Sequence, residues 1–392
     1  MIKSDMKVLF ISTADYKYGA AKTQIDMIKE LIQNYDVIPV VLTKKHNEFN
    51  EWCTQEHIEN YSYWYRDIMS GSAYSNPFLN MAKHMVKYLL YVRGALTQRG
   101  VLNCGINWDE IDLIHSNHIR IDIGAYISRK KGIPHVWHIK ELNRGHVRII
   151  HYKPKCYEYI NKNANLFIAV TKQVKEYWTE AGLTADKIRV VYEGIEPSKF
   201  IERVNRKDNK LRLICVGRIE KSKGQLQILQ AMQRLPAKIK KDVLLDLAGE
   251  AYPDYLKLLQ TYIQEHGLQE QVHFLGYQKD IPQLLSGYDV GILSSKGDAF
   301  GTVVAEYMAA GLVPIATYTE LVEDKKTGLR YEFGDVDKLS QNIEDLYYNR
   351  AKLQEMAICG HNVIINEFSI SRNAREIYKV YEQLVGIERR HG

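Results

Sequence analysis

The sequence predicts an α/β protein built from two doubly wound, parallel-sheet domains, and three observations carry that expectation. Short β-branched runs recur along the whole chain, each followed by helical spacing, and near-continuous apolar runs of this kind belong to strands covered on both faces. Eleven such runs are too many for one open sheet at this length. The 392 residues suffice for two or three domains, each able to bury its own core.

In order, the first-half runs are KVLFIS, VIPVVLT, DLIHSN, PHVWHI, LFIAVT and RVVYEG; the second-half runs are LRLICVG, VLLDLAG, VHFLG, VGILSS and LVPIAT. The seam falls at EGIEPSKFIERVNRKDNK, where Gly194, Pro197 and a charged run separate two strands. The expected division is 1–195, a linker over 196–210, a second domain over 211–370, and a terminal helix over 371–392. That last helix carries Ile377, Val380, Tyr381 and Leu384 on one stripe. Residues 78–99 form another amphipathic candidate, with Met81, Met85, Tyr88, Leu89 and Val92 on a stripe among Lys83, Lys87, Arg93 and Arg99. Such a helix fits an anionic membrane surface; the favoured expectation is an ordinary domain helix with its stripe in the core.

Composition narrows the class. No apolar run approaches the roughly 20 residues of a membrane helix, and the start, MIKSDMKVLFIS, lacks a signal-peptide pattern. Five scattered cysteines without a CxxC pair argue for a reducing cytoplasm and against a disulfide framework or zinc site. The net charge of +6 lies entirely in residues 1–200, with 27 basic against 21 acidic side chains. Its densest part, 120–155, fits an anionic partner or a solvated face. His115, His118, His135, His138, His146 and His151 show no HExxH spacing, and no metal site is expected. No nucleic-acid-binding signature appears.

The chemistry concentrates in the second half. In DAFGTVVAEYMAAG, Asp298 sits in a loop above a strand's carboxyl end and Glu306 about one turn inside a helix closed by Gly311. The helix N-terminus offers free N–H groups to a phosphate, and Gly301 lets a ligand approach the backbone. Two acids so placed suit two hydroxylated parts of one extended ligand, with phosphates between. VGRIEKSKGQ supplies Arg218 and Lys223 from an earlier βα loop, a guanidinium fork and an ammonium for a diphosphate. The alternative for each is a surface side chain paired with a neighbouring Glu.

VGRIEKSKG, LLDLAGE, HFLGYQKDIPQLLSGYDVGILSS and DAFGTVVAEYMAAGLVPIAT, in that order, together with VYEGIEPSKF, resemble the family-4 glycosyltransferases of GT-B fold, among them bacterial surface-polysaccharide enzymes. The family's usual Glu-x7-Glu is here Asp298-x7-Glu306, one methylene shorter at the first acid. The resemblance implies two Rossmann-like domains facing a central cleft, the second binding a nucleotide-diphosphate sugar and the first an acceptor. It implies that Arg218 and Lys223 stabilise the leaving diphosphate, that Glu306 holds the ribose, and that Asp298 contacts the sugar beside the backbone of Phe300 and Gly301. Glu250 and Tyr277 would border the nucleotide, with simple packing as the alternative for Tyr277. In the first half, Gly19 of Gly19-Ala20-Ala21 lies where the family approaches the donor phosphates, although a plain tight turn reads equally well. His138, at the carboxyl end of VWHI, would face the donor sugar.

The whole reading is a cytoplasmic, metal-independent, retaining glycosyltransferase without a cofactor. It would use a UDP- or GDP-sugar on a glycan or lipid-linked glycan at the inner face of the plasma membrane. The alternatives are a GT-B sugar-nucleotide epimerase and a non-catalytic nucleotide-sugar-binding scaffold. A Rossmann dehydrogenase ranks last because GxGxxG is absent after the first strand.

Overall fold

The computed structural model describes residues 5–12, 19–71, 77–142, 149–201, 206 and 208–391. Its strands are β1 (Met6–Ser12), β2 (Val37–Thr43), β3 (Glu59–Ser62), β4 (Met69–Gly71), β5 (Leu113–Ser116), β6 (His135–Ile139), β7 (Ile149–His151), β8 (Leu166–Ala169) and β9 (Ile188–Val190) in the first half of the chain. The second half holds β10 (Leu211–Val216), β11 (Val243–Ala248), β12 (Val272–Gly276), β13 (Val290–Leu293), β14 (Val313–Ala316) and β15 (Leu329–Arg330). Two units result: Met1–Gly194 with Ile370–Gly392, and Ile195–Ser369.

The first unit is a parallel sheet of order β3-β2-β1-β5-β6-β8-β9, with β4 and β7 paired antiparallel outside it. Successive residues of β1 face opposite ways, and both faces are dry. Val8 and Phe10 join Ile25, Ile28 and Leu31 of the helix Gly19–Tyr35, while Leu9 and Ile11 pack with Leu42, Ile114 and Ile127. The terminal helix Ile370–His391 completes the first of these layers through Ala374, Ile377, Val380, Tyr381 and Leu384. The chain thus returns to the first unit after finishing the second. Each fully buried Val, Leu, Ile or Phe side chain in these layers contributes about 1.5–3 kcal/mol.

The second unit is a parallel sheet of order β12-β11-β10-β13-β14-β15. Leu213, Leu245, Ile292 and Ile315 face one layer, and Ile214 and Ala248 face the other, with Tyr307 and Leu312. Backbone pairing between Ile195 and Ser369 marks where it begins and ends. The segment expected as a linker, 196–210, is counted with this unit, and Arg206 Nη1 donates to the Gly287 carbonyl at 2.6 Å. Residues 202–205 and 207 lie outside the described residues.

One expectation is overturned. The helix Pro77–Thr97 does not bury its apolar stripe: Met81 is 64%, Met85 59%, Leu89 60% and Leu96 77% exposed. Strands β3, β4, β7 and β15 were not expected either; they are two to four residues long, and β3 reads ENYS.

Candidate active site

In the second unit the chain runs β10, β11, β12 outward on one side, then returns to lay β13 on the other side of β10. The loops after β10 and β13 therefore diverge at the topological switch point, where open α/β sheets bind ligands. The sequence makes them close neighbours. Gly224, at φ 68°, ends a short turn, and a Cβ there would lie 2.2 Å from the Ser294 carbonyl oxygen. Ser294 Oγ donates to the Gly224 carbonyl at 3.0 Å, and Gln227 Nε2 donates to the Ser294 carbonyl at 2.9 Å. A Cβ at Gly249 would lie 2.0 Å from the Gly217 carbonyl oxygen, which packs the turn after β11 against the same loop.

Lys223 and Asp298 meet across this junction. Lys223 Nζ lies 3.1 Å from Asp298 Oδ2, and Ser295 Oγ donates to the same oxygen at 2.8 Å. Among the described residues Oδ1 has no hydrogen-bond partner, so one carboxylate oxygen is anchored and the other is open to a ligand. An ammonium has three donors, and holding Asp298 leaves two for a further anion. Arg218 is 43% exposed at its side chain and sits 3.5 Å from Glu220, the surface pairing weighed as its alternative. An exposed pair of this kind is worth little and is readily exchanged for a multivalent anion.

The helix Thr302–Ala309 starts after Gly301, at φ 83°. It is fixed from below: the Val216 N–H donates to the Tyr307 hydroxyl at 2.8 Å, and Tyr307 is fully buried. Gly291 makes room for that ring, since a Cβ there would come within 2.2 Å of it. Phe300 is buried against Phe368, and its carbonyl accepts from Thr319 Oγ1 at 3.1 Å. Glu306 is half-buried on this helix, and Gly311 closes it at φ 74°. Glu250 and Tyr277 follow β11 and β12, both exposed, so Tyr277 at 48% is not a packing residue. Arg218, Lys223, Glu250, Tyr277, Asp298, Phe300, Gly301 and Glu306 all follow the carboxyl ends of strands on one edge of one sheet. Tyr307, Gly291, Gln227 and Ser295 were missed, because their work is to hold other residues and no motif spacing marks it.

His138 and Gly19 belong to the first unit. Gly19 opens the helix Gly19–Tyr35; residues 13–18 of the preceding turn, including Tyr18, lie outside the described residues, as do Arg144, His146 and Arg148. His138, in β6, is 1% exposed. Its Nδ1 is 3.1 Å from His115 Nε2, and His115 Nδ1 is 2.6 Å from the Tyr381 hydroxyl. Burial, with Lys140 adding to it, pushes His115 down to about 3 and His138 well below the usual range, so both are neutral near pH 7. A phenol in such a chain spends its proton on the imidazole, since the reverse arrangement would leave the buried O–H without an acceptor. Tyr381 then donates to His115, His115 Nε2–H donates to His138 Nδ1, and the His138 proton sits on Nε2. That Nε2 is buried and has no partner among the described residues. Lys140 is held elsewhere, 2.9 Å from Glu193 and 3.2 Å from Thr23 Oγ1.

Two family models match: Glycosyltransferase Family 4 over residues 18–199 and Glycosyl transferases group 1 over 197–362. The chain belongs to the family 4 glycosyltransferases. Its overall fold agrees with that of a cyanobacterial relative, Anabaena Alr3699/HepE crystallised with UDP, at TM-score 0.77 and 22% identity over 97% of this chain and all of the other. The fold is GT-B. The putative glycosyltransferase EpsD of Bacillus subtilis is 26% identical over 53% of this chain, and the match spans about half (54%) of that relative's length. The UDP-Gal:α-D-GlcNAc-diphosphoundecaprenol α-1,3-galactosyltransferase of Escherichia coli is 23% identical over 71% of this chain and 76% of its own.

Proposed function

We propose that this family 4 glycosyltransferase moves a sugar from a nucleotide-diphosphate sugar, UDP- or GDP-linked, to a hydroxyl of a glycan or lipid-linked glycan in surface-polysaccharide assembly. The observation that carries the reading is the Lys223–Asp298 contact at the switch point of β10 and β13, beside the start of the helix Thr302–Ala309. Cations, an open carboxylate oxygen and helix N–H groups suit a diphosphate joined to a polyol. Relatives named for UDP and for a diphosphoundecaprenol acceptor support the donor and acceptor classes.

In this reading Arg218 and Lys223 take up charge on the diphosphate as its bond to the anomeric carbon breaks, without a divalent ion. The bonding pair leaves with the phosphate oxygen. The acceptor oxygen bonds the anomeric carbon on the same face, and its proton passes to the departing phosphate, so configuration is retained. Glu306 accepts from the ribose hydroxyls, Asp298 Oδ1 from a sugar hydroxyl, and His138 Nε2–H donates to the sugar. Glu250 and Tyr277 border the nucleotide, and Gly19 lies near the phosphates. The site of action is the cytoplasmic face of the plasma membrane. Thermal-shift titration with UDP, GDP, ADP and their sugars in excess EDTA tests the donor: a uridine or guanosine diphosphate should raise the melting temperature. Stabilisation by none of them, or only with added divalent metal, would sink the reading.

A further inference from the structure

The helix Pro77–Thr97 is inverted in polarity. The residues it turns toward the first unit are the polar ones. His84 Nδ1 lies 2.9 Å from the Tyr152 hydroxyl, and Lys87 Nζ donates to Ser70 Oγ at 2.6 Å. The Tyr91 carbonyl accepts from Arg66 Nη1 at 3.3 Å, with the Arg66 guanidinium 4.3 Å from the Tyr91 ring centre. A Cβ added at Gly94 would lie 2.6 Å from Arg66 Cβ. Positions 84, 87, 91 and 94 form one helical stripe. The opposite stripe is apolar and faces solvent: Phe78, Met85, Leu89, Val92 and Leu96, between 39% and 77% exposed. An ordinary domain helix does the reverse.

We infer that this outward face docks on the surface of an anionic phospholipid bilayer, the helix lying in the interface plane. Its 21 residues give a length of about 30 Å, and no helix among the described residues is long and apolar enough to cross a membrane. Charge selects the bilayer over a second copy of the chain. Residues 77–99 contain no Asp or Glu but carry Lys83, Lys87, Arg93 and Arg99. Lys87 is spent inward on Ser70, but two copies packed through this face would bring the exposed Arg93 and Arg99 together with no carboxylate of the helix to offset them, whereas anionic headgroups complement them. Exposed Arg93 lies 5.6 Å from the ring centre of Trp64, itself 36% exposed, which sets a cation and an indole at the rim of the apolar face.

The inference stands independently of the transferase reading, and its test reads binding alone. The full chain would be co-sedimented with phosphatidylcholine vesicles and with vesicles mixed equally with phosphatidylglycerol. Combined Met85→Ser, Leu89→Ser and Leu96→Ser should weaken partition into the mixed vesicles roughly a hundred-fold. Combined Arg93→Gln and Arg99→Gln should weaken it several-fold on the mixed vesicles and leave phosphatidylcholine binding unchanged. All three replaced apolar side chains are exposed, so an unchanged melting temperature is expected, and the Arg93/Arg99 pair offers a second variant should the triple one misfold. Wild-type-like partition of both variants would overturn the inference. So would a wild-type dimer, seen by sedimentation velocity without vesicle uptake and dispersed by the triple substitution.

Discussion

The two sheets share one winding plan and use it oppositely. At the switch point of β10 and β13 the second unit gathers charged groups that remain partly solvated: Lys223 at 31%, Asp298 at 27% and Arg218 at 43% side-chain exposure. In β5 and β6 the first unit places neutral, buried imidazoles: His115 and His135, each hydrogen-bonded at both ring nitrogens, and His138, whose Nε2 has no partner among the described residues. Topology says where a ligand can approach; the side chains that end the strands say what each place does. Exposed charge is available to a ligand and carries little of the fold. Buried imidazole is tied into the fold and is exposed to acid.

Acid should separate the two regions most. His115 and His135 are held at about 3 and about 4, both by burial, against an ordinary 6.5. Above pH 6.5 these groups are neutral folded or unfolded and contribute no pH dependence. As pH falls below 6.5 the unfolded chain takes up their protons and the folded chain does not, so stability drops until pH approaches 4. The slope approaches about 1.4 kcal/mol per pH unit for each histidine. For these two together that is on the order of 5 kcal/mol by pH 4.5, with His138 adding to it. Unfolding free energies from urea titrations between pH 7.5 and 4.5 should fall by this amount, and His135→Gln should flatten the slope. A free energy constant over that range would contradict the enclosed neutral state.

Lys223→Ala should do the opposite, leaving the urea midpoint nearly unchanged because a half-exposed ion pair is worth at most about 1 kcal/mol. In the proposed reaction it should cut turnover roughly a hundred- to a thousand-fold, with a much smaller change in donor affinity, because the ammonium matters most as phosphate charge develops. Equal losses in kcat and affinity would reassign Lys223 to ground-state binding. Glu306→Ala should show the reverse split. Removing a carboxylate that accepts from hydroxyls costs about 2 kcal/mol, or roughly thirty-fold in nucleotide affinity by calorimetry. A deoxyribose nucleotide should lose less on the variant than on the parent.

The contrast also explains which parts were legible in the sequence. All eleven runs of β-branched residues became strands, because a strand buried on both faces writes its burial into consecutive letters. β15 has two residues and β3 reads ENYS, which leaves nothing to read. Lys223 and Asp298 could be placed because each follows a strand in a loop marked by glycine. Gly291 could not, because its reason is the Tyr307 ring, a tertiary neighbour. Periodicity found the stripe of Pro77–Thr97 but carries no information on which side of a helix meets the core. That needed Lys87 on Ser70 and Gly94 on Arg66.

Tyr381 shows how far apart in the sequence a functional contact can lie, 266 residues from His115, and its replacement is the finest test of the comparison. Tyr381→Phe removes one neutral hydrogen bond and should cost only about 1 kcal/mol of stability. Its effect on the imidazole pair should be plainer than its effect on the fold. With the phenol present the protons of His115 and His138 are both directed to Nε2. Without it neither direction is favoured, and His138 alternates between donor and acceptor at Nε2. Imidazole ¹⁵N shifts should report a single Nε2–H tautomer for both histidines in the parent and averaged values in the variant. A parent already averaged, or a variant with unmoved shifts, would mean that the terminal helix braces the first unit without setting the proton that His138 offers.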